Sequence, residues 1–167
     1  KNGEAGDIAI RRDDPVVMKE YWRNPDAMRE KFRGDWLLTG DLGHMDDQGF
    51  IYFQGRYDDV IKSAGYRIGP AEVEASIMEV RGVASCAVIG VPDEQRGQVV
   101  KAFVKVLPGT EKSAVLVTTI QEHVRKKLGA HEYPREVDFL EEFPMTVTGK
   151  IRRRDLREEE ERKRAKG

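Results

Sequence analysis

Three short stretches of the sequence place a charged side chain beside a glycine. They are Thr39-Gly40-Asp41, the segment from Arg56 to Arg67, and Thr148-Gly149-Lys150. Because glycine has no Cβ, a ligand can lie close to the backbone there, within reach of the neighbouring charge. A carboxylate such as Asp41 can accept two hydrogen bonds from the hydroxyls of a ribose, while arginine and lysine hold phosphate or carboxylate oxygens. These three stretches are therefore candidate binding segments.

Two of the stretches also have an interpretation without any ligand. Lys150, on a Thr-Gly-Lys turn, could equally be an exposed loop lysine, and residues 55–74 could be a surface hairpin followed by a helix. The same segment combines charged pairs with Gly65, Gly69 and a Gly-Pro that opens a helix. A mobile turn next to a rigid element is the composition expected of a hinge. Both interpretations predict the same local elements.

Composition excludes several classes of function. The 167 residues suffice for one ordinary domain, or for a small domain plus part of another. The 29 Lys and Arg residues nearly cancel the 30 Asp and Glu residues, so we expect neither nucleic acid nor a membrane surface as a partner. One cysteine excludes an internal disulfide framework, and three scattered histidines give no metal-ligand spacing, so we predict no metal site.

No segment of the sequence has the length and apolar character of a membrane span or a signal peptide, and we expect a cytoplasmic protein. The first residue is Lys1 rather than Met, which is typical of a fragment.

Residues 1–53 predict a β-rich region. A strand over Asp7–Ile10 needs partners from a larger sheet. A helix over residues 25–32 has Asn24 as its cap and Pro25 in its first turn. Residues 36–53 predict a hairpin, because Asp46-Asp47-Gln48-Gly49 is a turn signal between two apolar runs.

Residues 71–140 alternate between helical and strand patterns. We predict two helices that each end at a glycine and three strands, over residues 71–80 and 112–128 for the helices and 83–91, 99–106 and 137–140 for the strands. Cys86 lies inside the first of these strands and is predicted to be a buried, inert thiol. The mixed charges from Arg152 to Gly167 predict a solvent-exposed helix with i,i+4 ion pairs, or alternatively an RNA-binding tail.

In this order and spacing, the motifs give the chain a family resemblance. It resembles the carboxy-terminal third of the adenylate-forming (AMP-binding) superfamily, which includes acyl-CoA synthetases, peptide-synthetase adenylation domains and beetle luciferases. The segment Lys62–Glu74 is most similar to the acetyl-CoA and medium-chain acyl-CoA synthetases. The resemblance covers nearly all 167 residues and rests on the segments Gly3–Ile8, Trp36–Gly43, Gly55–Glu74 and Thr148–Ile151.

The resemblance implies a role for each candidate residue. Asp41 would bind the ribose of ATP, Arg56 the nucleotide near its ribose and phosphates, and Arg67 a phosphate. Asp58 would be the hinge, and Lys150 would stabilise charge as a carboxylate attacks the α-phosphate. The residues implied for CoA are Ala64, Gly65 and Tyr66 on the pantetheine path and Arg96, Tyr133 and Arg135 near the nucleotide.

The resemblance also implies the domain organisation. We expect an α+β chain in which residues 1–57 end a large N-terminal domain and residues 58–167 form a small mobile domain, a sheet flanked by helices. The family's Gly-rich phosphate loop, adenine contacts and acyl pocket lie upstream of this segment, so the fragment alone would be inactive. The parent enzyme would use a carboxylic acid, ATP with Mg²⁺, and CoA.

Two other functions remain open from the sequence. The acyl group could pass to a carrier protein instead of CoA, although a charged helix follows the last motif. Alternatively, the chain could be a non-enzymatic binding module with a basic tail.

Overall fold

The structure of the chain is a computed structural model that describes residues 3–166, and these divide after Asp58 into two compact units. The predicted α+β class is confirmed. Among residues 3–166, every helix is too short or too polar to cross a bilayer. Whether the two units are the end of a large domain and a mobile small domain stays a prediction.

The first unit is an antiparallel four-stranded sheet with one short helix. Its elements are β1 (Gly6–Arg11), α1 (Pro25–Lys31), β2 (Phe32–Arg33), β3 (Trp36–Met45) and β4 (Ile51–Arg56). The central strand β3 pairs with β1, β2 and β4. The predicted hairpin over residues 36–53 is confirmed as β3 and β4, although β4 continues to Arg56.

Side chains in this unit close the turns as the sequence predicted. The Asn24 side chain accepts a hydrogen bond from the Ala27 amide at 3.1 Å and caps α1. The Asp46 carboxylate accepts from the Gln48 and Phe50 amides at 2.9 Å, which closes the turn between β3 and β4. These bonds also lower the pKa of Asp46, with the Phe50 amide as the largest cause.

The second unit is a five-stranded sheet with three helices. Its elements are β5 (Ile61–Ser63), β6 (Tyr66–Ile68), α2 (Pro70–Ile77), β7 (Val83–Asp93), β8 (Gly97–Val106), α3 (Ala114–Lys127), β9 (Glu136–Phe139) and α4 (Arg153–Arg164). The strands run in the order β6-β5-β8-β7, and β9 pairs with β8 on the same side as β5. Only the pair β8–β9 is parallel among the described strands.

Strand β8 supplies side chains to two cores. Val100, Ala102 and Val104 pack with residues of α2 and α3, and this set is called the first core. Val99 and Phe103 point the other way, because successive residues of a strand face opposite sides of a sheet. They pack with Phe143 and Leu156 in the second core.

Several boundaries differ from the predictions by a few residues. Helix α2 ends at Ile77 rather than Val80, although Val80 is still buried. Helix α3 begins at Ala114 rather than Lys112, because the Ser113 hydroxyl accepts the Leu116 amide and caps the helix there. Strands β7 and β8 extend toward each other, so only residues 94–96 separate them.

Cys86 is buried, as predicted. Its thiol lies 3.5 Å from the Glu74 carbonyl oxygen. Burial, aided by the negative charge of Glu74, raises the pKa of Cys86 to about 12. The thiol therefore stays protonated at neutral pH and is a poor nucleophile.

The prediction for the last helix is wrong in one respect. The expected i,i+4 ion pairs are present, as between Arg154 and Glu158 at 2.7 Å. However, the helix is not solvated on all sides, since Leu156 is only 2% exposed and Glu160 only 5%. A single apolar residue among charges is a weak sequence signal, yet it is enough to pack α4 onto the second core.

Replacing Leu156 tests this packing. Leu156→Ala should lower the free energy of unfolding of the second unit by about 2–4 kcal/mol, because it leaves a cavity beside Phe103 and Phe143. Urea denaturation measures the change. Val115→Ala, in an exposed position of α3, is the control and should leave the transition unchanged. An unchanged transition for Leu156→Ala would mean that α4 is detached.

Candidate functional site

Asp41 and Arg56 lie directly opposite each other on β3 and β4. The Arg56 Nη1 atom is 4.0 Å from the Asp41 Oδ1 atom, and both side chains are partly exposed. The Asp41 amide donates to the Thr39 hydroxyl oxygen, which in turn donates to the Ile8 carbonyl. The backbone of Asp41 is thus fixed, while its carboxylate and the guanidinium remain accessible to a ligand.

Gly40 lies beside Arg56 and a second cation, Lys31. Its φ is +84°, and a Cβ at this position would lie 3.1 Å from Arg56 Nη2 and 3.4 Å from Lys31 Nζ. Gly40 and Lys31 also line an open pocket of about 660 Å³ in the first unit, together with Tyr57 and Asp58. No sequence motif points to Lys31, because it lies on α1 and reaches the site only through the fold.

In the second unit, Ala64 and Gly65 form the two-residue turn of the β5–β6 hairpin. Their φ values are +48° and +86°, as in the type I′ turn that suits tight hairpins. A Cβ on Gly65 would meet nothing within 4 Å. The Ala64 amide donates to the Arg96 carbonyl at 2.9 Å, so the turn is held against the β7–β8 loop.

The residues implied for CoA lie near one another. The Tyr66 ring stacks on the His131 ring at 4.2 Å. Two residues after His131, Tyr133 has the Arg135 guanidinium 5.0 Å from its ring centre. The hairpin, the Arg96 loop and residues 131–135 therefore form one continuous surface, which we call the hairpin surface.

The sequence did not point to two members of this region. His131 was one of three scattered histidines, and Arg125 lies on α3 with its guanidinium 5.9 Å from the centre of the Tyr133 ring. Glu132, beside His131, has its pKa raised by burial, and the charge of His131 opposes this only partly. These contacts join residues from separate elements, so no local pattern could reveal them.

Lys150 lies at the end of a tight turn that begins at Thr146. Its amide donates to the Thr146 hydroxyl oxygen at 3.1 Å, and its carbonyl accepts from the Thr146 amide at 2.8 Å. Gly149, with φ +79°, allows the chain to reverse. The side chain of Lys150 is exposed, and the next residue, Ile151, packs against the second core.

Arg67 and Asp58 occupy exposed positions. Arg67 lies directly opposite Lys62 in the β5–β6 pair. Asp58 is the last residue of the first unit. Among residues 3–166, no three His, Cys, Asp or Glu side chains are grouped as metal ligands.

Comparison with known proteins agrees with the resemblance. Residues 72–150 match the AMP-binding enzyme C-terminal domain family. The chain is 44% identical over 165 residues to the uncharacterized acyl–CoA ligase YtcI of Bacillus subtilis, covering 99% of this chain and 31% of that protein. It is 42% identical over 153 residues to the acetyl-coenzyme A synthetase of the same organism, covering 91% and 27%. The chain thus spans less than a third of these relatives.

A solved structure supports the same relationship. The anthranilate CoA ligase AuaEII, in complex with anthranoyl-AMP, superposes with a TM-score of 0.85 at 37% identity, over 95% of this chain and 30% of that one. The sequence motifs, the fold and these matches agree. The chain therefore contains the C-terminal domain of the AMP-binding, adenylate-forming enzymes, and the relatives that it matches over most of its length are acyl-CoA ligases and synthetases.

Proposed function

We propose that this chain is part of an AMP-forming acyl-CoA synthetase. In the first half-reaction, an oxygen of the substrate carboxylate attacks the α-phosphorus of ATP, and pyrophosphate leaves. In the second, the sulfur of CoA attacks the acyl carbon of the acyl-adenylate, and AMP leaves. The first half-reaction breaks a phosphoanhydride bond and the second forms a thioester.

The first unit would hold the nucleotide. The Asp41 carboxylate would accept hydrogen bonds from the two ribose hydroxyls, and Arg56, directly opposite, would contact the ribose and phosphates. The fixed Asp41 backbone and the accessible Arg56 side chain support this assignment. Arg67, which lies in the second unit, would contact a phosphate of the nucleotide.

One observation carries the two-step proposal. The hairpin surface and the Lys150 turn pack against opposite faces of the same sheet. Tyr133 contacts the first core, whereas Ile151 contacts the second. We therefore infer that one orientation of this unit would present only one of the two surfaces to a bound acyl-adenylate. Rotation about Asp58 would bring each to the nucleotide in turn, which is a known use of hinged domains.

Each surface would serve one half-reaction. The Lys150 ammonium would stabilise the charge that develops while pyrophosphate leaves. The pantetheine arm of CoA would pass over Gly65, where the absence of a side chain leaves open space. Arg96, Tyr133 and Arg135 would hold the CoA nucleotide.

Other components would come from outside this chain. Mg²⁺ would bind through the phosphate oxygens of ATP, a ligand type that it prefers. The adenine contacts, phosphate loop and acyl pocket would belong to the rest of the protein, and the chain alone would be inactive. A cytoplasmic location stays a prediction.

We rank the synthetase above the binding-module alternative because of the charge pairs of α4. Arginines of α4 form ion pairs with carboxylates of this chain: Arg153 pairs with Glu74, and Arg164 pairs with Glu136. The helix therefore does not offer a uniformly basic surface. A carrier protein as acceptor is best tested directly, by comparing CoA with carrier-bound phosphopantetheine in the second half-reaction.

Removing Lys150 tests the proposed function. In the full-length protein, pyrophosphate release with ATP and acetate, butyrate, octanoate or benzoate should identify an active acid. Lys150→Ala should then reduce acyl-adenylate formation by about 10²- to 10³-fold, as for other single charge-stabilising groups. Thioester formation from pre-made acyl-adenylate should change far less. Equal loss of both steps would contradict the role of Lys150, and pyrophosphate release by the 167-residue chain alone would contradict its inactivity.

Gly65→Leu should have the opposite effect, because a large side chain would obstruct the pantetheine arm and leave the ATP site intact. We expect normal adenylation and a strong loss of thioester formation. Leucine is strained at φ +86°, so the control is Gly109→Leu, at another open turn with φ +84°. Normal thioester formation by Gly65→Leu would show that the path lies elsewhere.

Substitutions of Asp58 test the pivot. Proline fixes φ near −65°, so Asp58→Pro should trap one domain orientation, preserving one half-reaction and suppressing the other. Asp58→Ala leaves the backbone free and should be milder. Both half-reactions are measured for each variant. If folded Asp58→Pro runs both steps at the parent rate, the pivot is at another residue.

A further inference from the structure

Asp59, the first residue of the second unit, is tied to a helix that lies far along the chain. Its side chain is only 11% exposed. The Asp59 Oδ1 atom accepts a hydrogen bond from Arg157 Nη1 at 2.8 Å, and Oδ2 accepts one from Arg153 Nη1 at 3.4 Å. Both arginines belong to α4, so the residue that follows the proposed pivot is held from the side of α4.

Helix α4 is itself fixed to the body of the unit. The Arg153 Nη2 atom donates to both carboxylate oxygens of Glu74, at 2.8 and 2.6 Å, and Glu74 also accepts the Val88 amide. Burial alone lowers the pKa of Arg153, but the carboxylates of Glu74 and Asp59 outweigh it and raise the pKa. Arg153 therefore remains charged and connects Asp59 to α2 and β7.

The Lys150 turn is attached to the same block. The Arg152 amide donates to the Pro144 carbonyl at 2.8 Å, and Met145 bridges to Ile151 across the base of the turn. Ile151 and Leu156 both pack in the second core. From Asp59 to Lys150, every step is thus a hydrogen bond, an ion pair or a buried contact.

We propose that Arg157 and Arg153 are positioning residues, which clamp Asp59 so that rotation is confined to the residues before it. This extends the proposed function, since it explains how Lys150 would turn as one rigid body with the start of its unit. Without the clamp, residues 59 and 60 would lengthen the flexible joint. A longer joint lowers the effective concentration of each surface at the nucleotide, so both half-reactions would slow together.

Arg157 is the better residue to change, because Arg153 also holds Glu74 and its loss would disturb the fold. The hydrogen bond of the Arg157 side chain goes to Asp59. Arg157→Gln removes the charge, and Arg157→Lys keeps it. Arg154→Gln is the matched control, since Arg154 lies on the same helix and pairs with Glu158 at the surface.

The first experiment uses the 167-residue chain and needs no activity. Chymotrypsin should cleave after Tyr57 about three- to tenfold faster in Arg157→Gln, because loss of one charge-assisted bond frees the segment locally. Arg157→Lys and Arg154→Gln should be cleaved at close to the parent rate. The midpoints of urea unfolding of all three variants should match that of the parent chain. Unchanged cleavage overturns the proposal, as does faster cleavage accompanied by a lower urea midpoint, which would report global unfolding.

The second experiment measures both half-reactions in the full-length protein. Arg157→Gln should slow the two steps by a similar factor, about three- to tenfold, whereas a defect at one ligand site would slow only one. Arg157→Lys should restore both. Parent rates for Arg157→Gln would overturn the positioning role. If the parent itself forms no acyl-adenylate while the cleavage result holds, the proposed function fails and the clamp stands.

Discussion

In the second unit, the arrangement of every other element depends on strand β8. It pairs with β7 along its length, from Gly97 opposite Asp93 to Val106 opposite Val83, and its other edge pairs with β5 and β9. Its alternating side chains supply both cores. A shift of the register by one residue would move every side chain of β8 to the opposite face of the sheet, so both cores would lose the residues that fill them.

A buried cation distinguishes the correct register from the slipped one. Lys101, only 5% exposed, lies on the face of the second core. Its ammonium is 2.9 Å from Glu160 and from Asp138, and 3.2 Å from Glu136. Burial alone lowers the pKa of Lys101, but these carboxylates outweigh it and raise the pKa. Buried ion pairs add little net stability, yet a slip that moved Lys101 into the apolar first core would leave it unpaired, at a high cost.

Part of this structure could be predicted from local interactions between residues that are close in sequence. The Asn24 cap, the Asp46 turn and the glycine-containing turns of Gly65 and Gly149 each depend on a few adjacent residues, and the sequence located them correctly. Residues of the candidate site could be proposed from the sequence only where they belong to a motif. Lys31, Arg125 and His131 reach their positions through the fold, and no spacing of residues in the sequence indicates them.

The last helix shows the same limit from the other side. Its blocks of charge predict a solvated surface, because the partners that use them are remote in sequence. Glu74 and Asp59 lie 79 and 94 residues from Arg153. A single Leu156 then decides which side of the helix is buried, and one residue gives no measurable periodicity.

The distance between Asp59 and Arg157 along the chain has a consequence for biosynthesis. The ribosome makes Asp59 some 98 residues before its partner, which corresponds to several seconds at about 5–20 residues per second. During that interval the strands of the second unit can pair, but the ion pair between Asp59 and Arg157 cannot form. The contacts that hold Asp59 are therefore among the last that the second unit makes, because they need a helix that is made late.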